Sequence, residues 1–318
     1  MAAETPTNFS AGEHDMGSSE PGTDPPLLLS ARPSKLPLAA QAAPGIELKL
    51  DWEDAADLGA NRTLTDICVE QGVDPSKVVS VHLPPGTTDR NGMAVAPGTV
   101  GTIIDFTHTA FGEGIDPEWL TLHSVREFDY RAQVQQLRTI TETTGHALAL
   151  ENPPDRGLLY APEGMAFLGF LAGHADPLEN VSVLVDTAHV SADRDGGEID
   201  DEAVEAVFEH LDPTLQEGVT DSFRDHLRRE RTRPEADLDP SDPWRPALAT
   251  LGLVGGDRVR AVHLNDPETD GVPDLQNGPS EGLRAVVEFC QNHGVALVLE
   301  PDEGQRDETE AMIEWLTE

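Results

Sequence analysis

Eight short apolar runs alternate with stretches of helical periodicity along this chain, and that rhythm constrains the fold more than any other feature. The runs are Leu27–Leu29, Ile46–Leu50, Val78–Leu83, Trp119–Leu122, Ala147–Leu150, Val181–Val185, Val259–Leu264 and Ala296–Leu299. Helix-like stretches lie between them, among them Tyr130–Thr144, Asp201–Leu211, Ser280–His293 and Asp307–Leu316. Ser280 offers an N-cap oxygen to the third of these four, and Gly294 follows it as a C-terminal stop. Repeated strand–helix alternation implies a parallel sheet, and eight repeats imply a single closed α/β barrel of the (β/α)8 type over residues 25–318. An open doubly wound sheet is the rival, but its Gly-x-Gly-x-x-Gly turn is missing after the first runs. Residues 1–24 hold Ser, Gly, Pro, Thr and acid with almost nothing to bury, and they are expected to form a disordered acidic tail.

Chemistry collects at the ends of the runs. The third ends His82-Leu83-Pro84-Pro85, the fifth continues Glu151-Asn152-Pro153-Pro154, and the sixth continues Asp186-Thr187-Ala188-His189. The seventh ends His263-Leu264-Asn265-Asp266-Pro267 and the eighth continues Glu300-Pro301. Proline cannot donate to a sheet ladder, so it marks where a strand stops. In a barrel these ends share one rim, where active sites form. A lone rim Glu or His is commonly a salt bridge or a packed side chain. Five charged or imidazole groups at equivalent places are not readily left unpaired in a barrel mouth. Such a set suits one divalent cation, and Mn²⁺, Mg²⁺, Co²⁺ and Zn²⁺ all accept mixed nitrogen and oxygen ligands.

These motifs resemble the xylose isomerase-like barrels, a group of sugar phosphate isomerases and epimerases that also contains the AP endonuclease family 2 enzymes. The resemblance rests on Leu150-Glu151-Asn152, Asp186-x-x-His189, Val262-His263-Leu264-Asn265-Asp266 and Leu299-Glu300, and spans about residues 25–318. It implies that Glu151, Asp186, His263 and Glu300 hold a central metal ion. It also implies that Glu151 and Glu300 act as an acid/base pair and that His189 orients a substrate oxygen. The implied reaction is isomerisation or epimerisation of a sugar-like polyhydroxy carbonyl compound through an enediolate, which a chelated cation stabilises. Asp266 joins the substrate contacts.

The endonuclease IV branch of the same group implies a phosphodiesterase instead. There His82 and His123 would hold a second metal shared through Glu151, and both are present. A third metal would need His189 with an Asp-x-His pair after the seventh run, but Asp266–Gly278 contains no histidine. The epimerases place an arginine six residues after the seventh-run histidine, where this chain has Thr269. A non-catalytic barrel that binds a sugar or a metal is the third reading.

Composition bears on partners. The chain of 318 residues carries 21 Lys and Arg against 59 Asp and Glu, a formal charge of −38. That charge opposes nucleic acid and anionic membranes, and it leaves a small molecule as the expected partner, with self-association open. Only Lys35, Lys49 and Lys77 are lysine, the remaining bases being arginine. An acid excess with so little lysine suits concentrated salt, which screens self-repulsion. Cys68 and Cys290 form no disulfide framework, so a reducing cytoplasm is expected. No run is long enough to span a bilayer and no signal-peptide pattern precedes the first run. Arginines cluster at 224–233, with Arg224, Arg228 and Arg231 on one helical face. They either pair with the acid-rich stretch 193–209 or form a lid over an anionic substrate group.

Overall fold

The computed structural model describes residues 26–58, 61–84, 99–123, 130–153, 162–174, 178, 180–190, 223–228 and 232–318. The expected tail at 1–24 and the expected helix at 201–211 lie outside the described residues. The strands are β1 (Leu27–Ala31), β2 (Gly45–Lys49), β3 (Val78–His82), β4 (Trp119–His123), β5 (Ala147–Glu151), β6 (Val181–Asp186), β7 (Val259–His263) and β8 (Ala296–Leu299). Each lies parallel to its neighbours in chain order, and β8 pairs with β1, so the sheet closes as a (β/α)8 barrel.

Helices follow the strands: α1 (Leu36–Ala42), α2 (Trp52–Asp57), α3 (Leu64–Glu70), α4 (Val100–Ala110), α5 (Tyr130–Thr144) and α6 (Pro162–His174). The later ones are α7 (Arg245–Val254), α8 (Glu281–His293) and α9 (Arg306–Thr317). Their starts follow local chemistry. Asp51 and Thr63 build capping boxes on α2 and α3, and Ser280 Oγ accepts from the Leu283 amide 3.1 Å away on α8. Gly294 ends α8 at φ 64°, a left-handed conformation that glycine adopts without a Cβ clash.

The two-residue period of a strand sorts side chains into two cores. Outward-facing Ile46, Leu48, Val81, Leu120, Leu122, Leu148, Leu150, Val183, Val185, Val262 and Leu297 are buried against the helical layer. Inward-facing Leu28, Trp119, Ala149, Leu184, Ala261, Ala296 and Val298 form a separate cluster within the barrel. Trp119 fills space that the three alanines leave, so the lower barrel is a packed plug. One step further along every strand the inward positions turn polar. Glu47 and Lys49 stand on β2, Ser80 and His82 on β3, Thr121 and His123 on β4. Glu151, Asp186 and His263 close β5, β6 and β7, and Glu300 follows β8 directly.

Candidate metal centre

Register brings these polar groups to one height. Lys49 pairs with His82, His82 with Thr121, His123 with Glu151, and Asp186 with His263 across the ladders. Glu151, Asp186 and His263 are buried, and Glu300 is nearly so. Most of the mouth is therefore built on strand ends.

Glu151 is the hub. Its Oε2 lies 2.9 Å from His82 Nε2 and 3.2 Å from His123 Nε2. Its Oε1 lies 3.4 Å from His263 Nδ1 and 3.6 Å from His189 Nδ1. The two oxygens thus divide between two sets of imidazoles. On the far side of His263, Nδ1 is 3.1 Å from Glu300 Oε2 and 3.8 Å from Asp186 Oδ2.

A carboxylate behind His263 fixes which nitrogen points where. Glu47, fully buried on β2, accepts from His263 Nε2 at 2.9 Å through Oε1. Its Oε2 accepts the hydroxyls of Ser80 and Thr121, each at 3.0 Å. Trp119 Nε1 donates to Thr121 Oγ1 at 3.2 Å, which ties this network to the plug below. Glu47 is thereby satisfied on both oxygens and holds His263 with its Nδ1 facing the mouth, the arrangement of a second carboxylate behind a metal-binding histidine.

Both nitrogens of two imidazoles face acceptors. Nδ1 of His82 is 3.0 Å from the Leu83 carbonyl, so it must donate there, while Nε2 meets the Glu151 carboxylate. Nε2 of His263 donates to Glu47, while buried Nδ1 faces carboxylates without a well-formed hydrogen bond. Asn265 Oδ1 is likewise buried with no hydrogen-bond partner among the described residues. Lone pairs crowded in this way repel one another unless a proton or a cation sits among them. The donor set and its orphaned Nδ1 fit a divalent cation held by Glu151, Asp186, His263 and Glu300. The metal-ligating atoms of Glu151, Asp186 and His263 lie within 4.8 Å of one another, as do those of Glu47, His263 and Glu300.

Electrostatics follow the same geometry. Burial alone would lower the pKa of His263, yet Glu300, Glu47 and Glu151 outweigh it and hold the imidazole well above its ordinary value. Burial would raise Glu151 and Glu300, but His123 and His263 pull Glu151 well below the carboxylate range, and His263 and Lys49 do so for Glu300. Burial pushes His123 down to about 4, so it stands neutral with a lone pair to give at neutral pH.

Two asparagines lock the rim. Asn152 Oδ1 accepts the Asp186 amide at 2.7 Å, and its Nδ2 donates to the Asp186 carbonyl at 3.2 Å. Asn265 Nδ2 donates to Asp186 Oδ2 at 3.0 Å and to Glu300 Oε2 at 3.1 Å. The Asp186 carboxylate is also fixed by the Ala188 amide at 2.8 Å.

Of the four residues expected to hold the central ion, Glu151, Asp186 and Glu300 each come within 3.8 Å of His263 Nδ1, and His82, His123 and His189 lie against Glu151. Asp266 does not. Its Oδ1 accepts the amides of Glu268 and Thr269 and so caps the following turn. Asp270 at the end of that turn takes the mouth position, its carboxylate within 4.8 Å of ligating atoms of Asp186 and His189. It adopts φ 54°, the only positive φ outside glycine among the described residues. Phe223 and His226 of the helical segment 223–228 pack on Phe167 and Phe170 of α6, and exposed Arg228 lies 3.7 Å from Asp225. Arg231 lies outside the described residues.

Sequence reasoning missed Glu47, Lys49 and Asp270. The first two sit inside the run Ile46-Glu47-Leu48-Lys49-Leu50, and their alternation with apolar residues was the available signal: one parity faces helices, so the other faces into the barrel. No signal marked Asp270, whose place depends on the loop.

No family model matches the chain, and no curated protein matches it. Solved structures do. AsfvAP, in the AsfvAP:AG structure, has a TM-score of 0.51 at 11% identity over 93% of this chain and 100% of that one. A sugar phosphate isomerase/epimerase from Parabacteroides distasonis ATCC 8503 has a TM-score of 0.43 at 12% identity over 94% of each chain. RipC from Yersinia pestis has a TM-score of 0.40 at 14% identity, over 92% of this chain and 95% of its own. The chain is therefore a closed (β/α)8 barrel sharing the fold of AsfvAP.

Proposed function

We propose that the barrel is a divalent-metal-dependent isomerase or epimerase acting on a small sugar-like polyhydroxy carbonyl compound. One observation carries this reading: Glu151 from β5 and Glu300 from β8 approach the same nitrogen, His263 Nδ1, at 3.4 and 3.1 Å. Two carboxylates flanking one cation position can reach opposite faces of a substrate chelated there. When bound, the ion would supply positive charge to the substrate's carbonyl oxygen as its α-proton leaves. One glutamate would take that proton and the other would return one to the neighbouring carbon or the opposite face. His189, its Nδ1 held 3.1 Å from the Asn152 carbonyl, would orient a hydroxyl. The charge of −38 favours a small substrate over a polyanion.

A second reading rests on His82, His123 and Glu151, whose ligating atoms also lie within 4.8 Å of one another. Two ions bridged by Glu151 would suit hydrolysis of a phosphodiester. One experiment separates the two. Metal content is measured on protein purified without chelator. The Mn²⁺-loaded protein is then incubated with a panel of ketoses in D₂O and, separately, with bis(p-nitrophenyl) phosphate. The isomerase reading expects one ion per chain and deuterium at an α-carbon. Exchange should be abolished in Glu151→Gln, a loss of about 10²–10⁴-fold for removal of a general base, and retained in His123→Ala. Two ions, phosphodiester hydrolysis and loss of both in His123→Ala would replace the isomerase with the phosphodiesterase.

A further inference from the structure

Lys49 is a cation placed where a metal site is least helped by one. It occupies the last inward position of β2, beside His82 in the ladder. Its Nζ lies 2.5 Å from Glu300 Oε1, and Glu300 turns its other oxygen to Asn265 and His263. Ser30 Oγ completes the Oε1 environment at 3.4 Å. A positive charge bonded to a ligand carboxylate repels a divalent ion and competes with it for that carboxylate. Its presence therefore serves something other than holding the ion.

The choice of lysine points the same way. The chain uses arginine at all but three of its basic positions. Lys77 donates to the Ala40 carbonyl on the outside of the barrel, and Lys35 ends a surface turn. Lys49 alone of the three reaches the mouth. A guanidinium there would lie flat on Glu300 in a two-pronged pair, whereas an ammonium spends one N–H on Oε1 and keeps two. The Lys49 side chain is 40% exposed against 11% for Glu300, so Lys49 is the more accessible partner of the pair at the barrel mouth.

We propose that Lys49 is a catalytic residue that donates a hydrogen bond to the substrate oxygen on which negative charge develops, with Glu300 as the arm that holds the ammonium in place. The inference rests on the isomerase reading. As a glutamate removes the α-proton, the C–H electron pair becomes a C–C π bond and the carbonyl π pair moves onto oxygen. Lys49 stabilises that oxygen without changing its own covalent state, and reprotonation of carbon reverses the flow. No oxidant or further reactant is required.

The test needs no turnover. Oxalate, a planar dianion with two adjacent oxygens, serves as the probe, and its binding to the Mn²⁺-loaded full chain is measured by titration calorimetry. Mn²⁺ binding to the metal-free chain is measured alongside. Lys49→Met should weaken oxalate about tenfold or more, the loss of one charge-assisted hydrogen bond, while Mn²⁺ binds as tightly as before or more tightly. Lys49→Gln, neutral but still polar, provides a second variant, and a thermal melt establishes that whichever is read has folded. Unchanged oxalate affinity overturns the proposal. So does a matching loss of Mn²⁺ affinity, which would make Lys49 a brace for Glu300 only. Failure of the unmodified protein to bind Mn²⁺ at all would sink the metal-dependent reading, and Lys49's role with it.

Discussion

Glu47→Gln tests whether the carboxylate behind His263 sets the metal affinity of the whole site. The side chain is fully buried and bonded to His263 Nε2, so its effect on an ion held at the Nδ1 side is read through the imidazole. Glutamine preserves the volume and loses the charge. Its single carbonyl oxygen can serve either His263 Nε2 or the two hydroxyls of Ser80 and Thr121, which now share one carboxylate oxygen at 3.0 Å each. If the amide nitrogen turns to His263, Nε2 must become an acceptor, and Nδ1 then carries the proton that blocks a ligand bond. If the oxygen turns to His263, the imidazole keeps its orientation but loses the charge that makes Nδ1 a stronger donor. Both arrangements weaken binding, and loss of such a supporting carboxylate costs about 10–100-fold in metal affinity, roughly 1.4–2.7 kcal/mol. Competition with a chromophoric chelator measures Mn²⁺ affinity, and a melt of the metal-free protein verifies folding. Affinity within threefold of the unmodified protein would refute the reasoning.

The acid excess predicts that salt stabilises the fold. Screening length falls from about 10 Å at 0.1 M to about 3 Å at 1 M, so the thermal midpoint should rise by roughly 10 °C between 0.1 and 3 M KCl; an unchanged midpoint would defeat adaptation to salt. The two thiols should be inert in the native state. Cys68 and Cys290 are free and buried, and burial pushes Cys68 up to about 11. A thiol raised above its unfolded value adds stability that is present below that value and lost as pH rises from about 9 toward 11. Ellman's reagent at pH 8 should therefore label neither cysteine until the protein is unfolded; fast labelling of the folded chain would contradict the burial.

The eight strands and their parallel order were legible because each apolar run is short, bounded and followed by a helical period, a pattern with few three-dimensional solutions. The rim residues were legible for a related reason. Proline after Leu83, Asn152 and Glu300 stops the strand, so the preceding polar group falls at the C-terminal end where barrel sites lie. Glu47 was hidden because β2 carries no such stop, and an acid in mid-strand reads as a solvent-facing residue until closure turns that face inward. Only the closed barrel decides that Glu47 stands behind His263, 216 residues away, and that Lys49 meets Glu300 across 251 residues. The exchange of Asp266 for Asp270 is tertiary as well. Both are acids on one turn, and the backbone path, with its positive φ at Asp270, determines which of them caps the loop and which enters the mouth. Sequence periodicity specifies the face on which a side chain emerges; the distances among side chains of different strands arise only when the sheet shuts, because register and curvature are properties of all eight strands together.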